Sequence, residues 1–205
     1  MWHSDSGPLP PTGDPAQKLE STPSHLGGAG GPCGEFDGFA LYRAMDAKRQ
    51  QQQLTWRQAA QAIWDQSATL NLRRQDHPIS PSTVTGLGQR GNCTCQHALF
   101  FLRWLGLPPE NFLTNGPKIG PEMNLPQVGP ELRLRWDLAA LYSALNDQRC
   151  QQHLTWGELA RKLRCTPSQL TVIKTIRFAI GMKLAMRIVQ WLGRPASSFI
   201  YAAKW

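Results

Sequence analysis

The sequence contains no long apolar run, and this bears first on membranes. Among its 205 residues no stretch of eighteen consecutive apolar residues occurs, so the sequence predicts no membrane span. The start lacks a basic segment followed by an apolar one, which predicts no secretory signal. The five cysteines are odd in number and irregularly spaced, and they favour free thiols in a reducing cytoplasm. We therefore expect a cytoplasmic protein.

Catalytic motifs are missing as well. The sequence has no phosphate-binding loop, no nucleophile elbow and no paired carboxylates on one predicted helix face. The segment Cys93-x-Cys95-x-His97 contains metal-ligating residue types, but it supplies three ligands at tight spacing where a structural zinc site has four. We expect a protein that is not an enzyme and that holds no metal or cofactor.

Positive charge is abundant and unevenly placed. The formal net charge is +8, yet residues 1–35 carry −3. From Glu131 onward there are twelve Lys and Arg residues against four Asp and Glu residues. This concentration favours a polyanion as partner. A basic surface that contacts only solvent explains the same numbers equally well.

Two segments rich in proline and glycine divide the chain. Residues 1–35 show no apolar period and offer too little apolar surface to offset the entropy of ordering, so they predict a disordered N-terminal tail. Four prolines interrupt residues 115–130 and exclude a regular helix or a central strand there. This segment is predicted to be a linker that spans on the order of 50 Å when fully extended.

The stretches on either side of this linker align with each other; we call residues 36–114 the first block and residues 131–205 the second block. The phrase "QQQLTW" at 51–56 returns as "QQHLTW" at 151–156, within a longer segment, 39–60, that shares eleven identities with 139–160. Such self-similarity predicts two tandem homologous domains.

The spacing between the copies changes along the chain. "FLRWLG" at 101–106 matches the end of "RIVQWLG" at 187–193, and here the spacing is 87 residues. The first block therefore carries extra residues in its middle, which we place at 65–78.

Tryptophans recur at equivalent places beside apolar helix faces, so we expect them to pack in the core instead of stacking on bases.

Local signals predict helices in both blocks, and hence an all-α fold of two small helical bundles. Leucines in the helix that begins after Asp137 follow the i, i+3, i+7 spacing of a buried face. Thr155 with Glu158 forms a capping box, in which each side chain bonds the other residue's backbone N–H, and Thr55 with Gln58 repeats it. Helices are therefore predicted to begin at residues 56 and 156.

A second capped helix follows closely in the second block. The helix from residue 156 is predicted to end near Leu163, and Thr166 is a natural N-cap with Pro167 at the first helical position. The next helix is predicted over 167–178. Two helices joined by a turn of about three residues form a helix-turn-helix.

The segment "LTWGELARKLRCTPSQLTVIK" resembles the Cro/C1-type (XRE-like) helix-turn-helix of bacterial and phage transcription regulators. Ala160, and Ala60 in the first block, match the alanine by which that family packs its first helix against its second. The family's turn glycine is replaced by Arg164 here and by Trp64 in the first block. Because a non-glycine residue at positive φ costs roughly 1 kcal/mol or more, this favours a reshaped turn.

The resemblance implies a sequence-specific regulator of transcription, in the role of a repressor, that is nucleoid-associated and binds double-stranded DNA. It places the second helix of each motif in the major groove. Gln169 would then pair with an adenine edge and Val172 would touch a thymine methyl, while lysines and arginines nearby contact phosphate. A polar helix surface that docks elsewhere is the alternative. The implied DNA-contacting residues of the second block are Thr166, Ser168, Gln169, Thr171, Val172, Lys174, Thr175, Arg177 and Lys183. Those of the first block are Ser80, Ser82, Thr83, Thr85, Gln89 and Arg90.

Two units on one chain suggest a pseudo-dimer that binds an imperfect direct or inverted repeat, with its reading helices about 34 Å apart. The alternative is a protein-interaction or antitoxin-type module in which one or both motifs no longer read DNA. The insertion and the lower net charge of the first block, +3 over residues 36–115, favour that role for it. A homodimer remains open, and no membrane partner or small-molecule effector is predicted.

Overall fold

The computed structural model describes residues 34–73, 76, 78–116, 120–175 and 180–204. These residues are mostly helical, as the sequence predicts, with one two-stranded sheet that it did not predict. Across the described ranges no helix is both long and apolar enough to cross a membrane. The predicted tail lies outside these ranges except for its last two residues, Gly34 and Glu35.

The elements of the two blocks follow one another in nearly the same order. The first block forms α1 (Gly38–Gln51), α2 (Trp56–Asp65), α3 (Ala68–Asn71), α4 (Pro81–Arg90) and α5 (Cys95–Leu105), with a 3₁₀ turn at Pro109–Phe112. The second block forms β1 (Arg133–Trp136), α6 (Leu138–Gln151), α7 (Trp156–Lys162), α8 (Pro167–Thr171), α9 (Met182–Leu192) and β2 (Ile200–Ala203), with 3₁₀ turns at Val172–Lys174 and Ala196–Phe199. A further 3₁₀ turn at Pro121–Met123 lies between the blocks.

The repeated phrase ends one helix and begins the next. At its third position Gln53 and His153 adopt the left-handed conformation, with φ of 54° and 53°. The next amide bonds back across the helix end, so that Leu54 N–H donates to the Arg49 carbonyl at 3.0 Å. Both predicted capping boxes then form at the following threonine. The phrase thus forms the whole connection between α1 and α2, and the equivalent one between α6 and α7. We call this connection the repeated corner.

The tryptophan of the phrase packs against its own block. In the second block Trp156 stacks on Tyr142, with ring centroids 5.8 Å apart, and the Arg149 guanidinium lies 4.6 Å from the Trp156 ring. The first block repeats this stack with Tyr42, Arg49 and Trp56. The predicted packing role is therefore confirmed for this pair of tryptophans, which are half-buried against the core.

The beginnings and ends of the two blocks meet in the same way. Asp37 and Asp137 cap α1 and α6 with their carboxylates. Their backbone N–H groups donate to the carbonyls of Phe112 and Phe199, at 2.7 and 2.8 Å. In the second block the adjacent residues extend this contact into an antiparallel sheet, in which Trp136 pairs with Ile200.

The two blocks touch each other through the starts of α5 and α9. Thr94 and Gly181, the residues just before these helices, form an isolated antiparallel bridge. Cys95 N–H donates to the Ile180 carbonyl at 2.8 Å, and Met182 N–H donates to the Cys93 carbonyl at 2.9 Å. Each bond uses equivalent atoms of the other block, which is the pattern of a contact on a two-fold axis. The blocks are therefore related locally by a pseudo-two-fold rotation.

Buried side chains of both blocks form one continuous core. α5 packs against α9 and also against β1, where the Trp136 indole N–H donates to the Cys95 carbonyl at 3.1 Å and the Gln96 amide donates to the Leu134 carbonyl at 2.9 Å. The segment predicted as a linker contributes Met123 and Leu125, which are both buried. The segment between the blocks therefore contributes two buried side chains, while its other described residues are exposed or half-buried.

The insertion predicted at 65–78 lies against the residues that lead into β1. Leu70 N–H donates to the Pro130 carbonyl at 3.1 Å, and the Ser67 hydroxyl donates to the Leu132 carbonyl at 2.8 Å. The Arg103 guanidinium from α5 joins both segments, since it donates to the Gln66 carbonyl, the Ser67 hydroxyl and three carbonyls of residues 128–132. Burial lowers the pKa of Arg103. The described inserted residues therefore connect α5 with the segment that leads into β1.

Candidate nucleic-acid interface

The start of α8 is fixed by its own first four residues. The Thr166 hydroxyl accepts the Gln169 N–H at 3.3 Å, and the Gln169 side-chain oxygen accepts the Thr166 N–H at 2.9 Å. Pro167 occupies the first helical position, where its missing N–H costs no hydrogen bond. The predicted N-cap is confirmed.

Within the described residues, the predicted helix over 167–178 is wrong in its extent; residues 176–178 lie outside them. Regular α-helix ends at Thr171, and a single 3₁₀ turn follows. The residues at this point, Thr171, Val172 and Ile173, are β-branched, and their restricted side-chain rotamers weaken an α-helix. Leu170 and Ile173 are buried on the inner side, so the change of helix type still leaves one apolar side facing the core.

The outer side of α8 and its 3₁₀ extension is open to solvent. Val172 is an apolar residue on this polar surface, with 41% of its area exposed. The seven predicted contact residues that lie here are all exposed: Thr166, Ser168, Gln169, Thr171, Val172, Lys174 and Thr175. Lys183, on the first turn of α9, is half-buried. Arg177 lies outside the described residues.

The side chain of Gln169 completes the capping box of α8, a role that was not predicted from the sequence. Its side-chain oxygen accepts hydrogen bonds from both the N–H and the hydroxyl of Thr166. A bidentate pair with adenine needs that oxygen and the side-chain amide N–H₂ together. The box must therefore open before Gln169 reads an adenine in this way, whereas Ser168, Thr171 and Val172 project without such a bond to the cap.

Basic side chains that the sequence analysis passed over lie beside α8. Arg161 and Lys162 form the last turn of α7 and are both exposed. Cations at a helix C-terminus also interact favourably with the helix dipole. The signal that would have found them is simple, because two adjacent basic residues end the first helix of the predicted motif.

The corresponding helix of the first block, α4, is more covered. Ser82, Gln89 and Arg90 are exposed, whereas Ser80, Thr83 and Thr85 are half-buried. The hydroxyl of Ser80 is hydrogen-bonded to those of Ser82 and Thr83, at 2.8 and 2.9 Å. Three of the six predicted contact residues are thus satisfied by one another at the start of the helix.

Glycine replaces the exposed valine on α4. Gly86 occupies the place of Val172, and it is buried. A Cβ at Gly86 would come within 2.5 Å of the Arg90 guanidinium, which therefore lies over it. Two residues on, a Cβ at Gly88 would come within 2.8 Å of the Tyr42 ring. Gly88 lets α4 pack closely against Tyr42 of α1. Gly86 leaves α4 without the exposed apolar side chain that Val172 gives to the second block.

The turn before α8 differs from what the missing glycine led us to expect. Arg164 adopts the left-handed conformation, with φ of 50°. The next amide, Cys165 N–H, donates to the Ala160 carbonyl at 3.0 Å, as at a helix end that has glycine there. The expectation of a reshaped turn is wrong for the second block, where hydrogen bonds from Arg187 hold the strained residue in place. In the first block Trp64 lies inside α2, so the turn does not form at this position.

The Cys93-x-Cys95-x-His97 segment lies at the junction of the blocks. Burial, with a smaller contribution from the neighbouring Cys95, raises the pKa of Cys93 to about 12, and burial raises the pKa of Cys95 to about 12. Burial also lowers the pKa of His97. In the part of the chain that is described, no group of three His, Cys, Asp or Glu residues is arranged to hold a metal ion.

Comparison of the chain with protein-family models, with curated proteins and with solved structures found no match.

Proposed function

We propose that this protein is a sequence-specific regulator that binds double-stranded DNA through two helix-turn-helix units, α2 with α4 and α7 with α8. The observation that carries the proposal is the outer side of α8, where every described candidate residue is exposed beside a helix that ends in two basic residues. A capped helix of this kind, presented after a short turn, suits the major groove. Lysines and arginines around it suit phosphate.

The relation between the blocks supports an inverted repeat as the DNA site. Reciprocal hydrogen bonds across Thr94 and Gly181 are those of a two-fold axis. A protein two-fold is matched by an inverted, not a direct, arrangement of half-sites. Because α4 is more covered than α8, the half-site of the second block carries most of the sequence information.

Selection of bound fragments from a random pool of double-stranded DNA tests this function with the full chain. We expect an inverted repeat with one well-defined and one degenerate half-site, and an affinity that falls steeply with salt. Thr171→Ala in α8 should relax the defined half-site and weaken binding by about 1 kcal/mol or more, as a lost base contact does. Thr85→Ala, the equivalent change in α4, is the matched control and should cost less.

The rival function is recognition of a protein, which the covered surface of α4 favours for the first block. A pool that yields no common sequence, together with DNA binding that does not change with salt, would reject the proposal and favour the rival. A direct repeat among the selected sites would reject the two-fold arrangement alone.

A further inference from the structure

A carboxylate just before the first block is bound at the turn of the second block. The backbone of Glu35 is held by the first block, since its N–H donates to the Thr114 hydroxyl and its carbonyl accepts the Thr114 N–H, both at 2.9 Å. Its side chain points to the second block, where it pairs with Arg187 at 3.0 Å and with Arg164 at 3.6 Å. Glu35 therefore connects the first block to the turn before α8.

Arg187 of α9 completes this connection. Its Nε and Nη2 atoms donate to the two carboxylate oxygens of Glu35, and its Nη1 atom donates to the carbonyls of Leu163 and Arg164 at 3.1 and 2.9 Å. The Arg187 side chain is only 18% exposed. A planar guanidinium can make all these bonds at once, whereas a lysine ammonium cannot reproduce the fork.

We propose that Glu35 and Arg187 are positioning residues that set the direction of α8 for base reading. Arg187 holds the last carbonyls of α7 and of the left-handed turn, and Glu35 fixes Arg187 from the opposite side. The N-cap of α8, Thr166, is two residues beyond Arg164, so a change in the turn rotates the whole short helix. This inference rests on the proposed function, because α8 has to read bases for its direction to matter.

When Glu35 is neutralised, the proposal predicts a change in DNA affinity opposite to the one that its charge alone predicts. Glu35 is an acidic group beside a basic surface, so its neutralisation alone should strengthen the binding of every DNA sequence. If Glu35 positions α8, Glu35→Gln weakens binding to the selected site and does not weaken binding to random DNA. The ratio of the two affinities separates these effects.

The experiment measures the affinities of the full chain for a selected site and for random DNA over a range of salt. We expect Glu35→Gln and Arg187→Met each to lower the ratio about tenfold or more, which is the loss of one good base contact, with the salt dependence of random binding changed by no more than one ion. Arg187→Lys should fail to restore the ratio. Asp147→Asn, at an exposed carboxylate of α6, makes the same charge change as Glu35→Gln and should leave the ratio unchanged.

Amide hydrogen exchange in the protein without DNA gives a second, independent readout. Glu35→Gln should speed exchange at the amides of residues 165–171 and leave those in the middle of α6 unchanged. Equal strengthening of selected and random binding, or unchanged exchange with an unchanged ratio, would overturn the inference. If the parent binds no DNA but exchange still rises in α8, the proposed function fails and the positioning contact stands.

Discussion

Arg164 and Trp64 occupy equivalent positions of the two blocks, one in the turn before α8 and the other near the end of α2, and different chemistry stabilises each. In the second block Arg164 is held by an ion pair with Glu35 and by the guanidinium of Arg187. In the first block Trp64 stands a hundred residues before Arg164, and Phe100 stands 87 residues before Arg187. Their ring centroids are 6.0 Å apart, and aromatic packing replaces the charged network.

A buried arginine covers Trp64 in the first block. The Arg133 guanidinium lies 4.6 Å from the Trp64 ring, and it pairs with Asp76 and donates to Asn71 of the insertion. As at Arg164, a residue that contacts this position comes from the segment that leads into the opposite block. The inserted residues Asn71 and Asp76 thus supply polar partners for a buried charge.

The two blocks thus present one exposed and one more covered version of the second helix of the predicted motif. In the second block α8 is exposed, and charged groups hold the turn before it. In the first block α4 is more covered, and Trp64 packs against Phe100 and Arg133. Paired substitutions at equivalent positions therefore measure how far the two copies have diverged.

The largest expected difference is at Arg103 and its equivalent, Gln190. Arg103 donates to five acceptors on two segments, whereas Gln190 exchanges two hydrogen bonds with Gly34 and donates to one more carbonyl. We expect Arg103→Met to lower the free energy of unfolding by about 3 kcal/mol and Gln190→Met by about 1 kcal/mol. Urea denaturation checks both.

Arg103→Lys is the control for charge in that pair. A lysine keeps the positive charge but lacks the planar fork, so it should recover only a minor part of the loss. Equal losses at Arg103 and Gln190 would show that the insertion adds nothing to the stability of the first block.

Local signals predicted the parts of the fold that neighbouring residues determine. Both capping boxes and the helix starts at Asp137 and Thr166 depend on residues within one helical turn, and all are confirmed. The end of the regular α-helix at Thr171 also has a local cause, a run of β-branched residues. The apolar periodicity that predicted the helix does not detect it.

Contacts between distant residues were out of reach of such signals. Glu35 and Arg187 are separated by 152 positions, and neither belongs to a recognisable pattern. The bridge between Thr94 and Gly181 likewise depends on how the blocks pack, which the repeat does not specify. The candidate helix was thus predictable from sequence, but the residues that hold it and the two-fold relation were not.

A smaller difference between the blocks involves one buried carboxyl. Glu110 lies at the first 3₁₀ turn and accepts the Ala196 N–H of the other block at 2.7 Å, whereas its equivalent is the hydroxyl of Ser197. Burial raises the pKa of Glu110 above its ordinary value of 4.5. The folded state therefore binds this proton more tightly than the unfolded state does.

The sign of the pH effect follows from that shift. Stability from Glu110 is fully present below its ordinary pKa and is lost as the pH rises through its higher, folded pKa. We expect the free energy of unfolding of the parent, minus that of Glu110→Gln, to fall over this window by about 1.4 kcal/mol per pH unit. Urea denaturation from pH 4 upward (about one-unit steps suffice) tests this, and a difference that stays constant or rises with pH would contradict it.

The smallest effect tests where the copies remain the same. Gln53 and His153 share a left-handed backbone that favours glycine, and both side chains are exposed. Gln53→Gly and His153→Gly should therefore each raise the free energy of unfolding by about 1 kcal/mol, because each removes the same steric conflict between Cβ and the backbone. Gln52→Gly, at the preceding residue with φ of −88°, should give no gain. Unequal gains, measured by thermal or urea unfolding of the two variants side by side, would show that divergence has reached even the repeated corner.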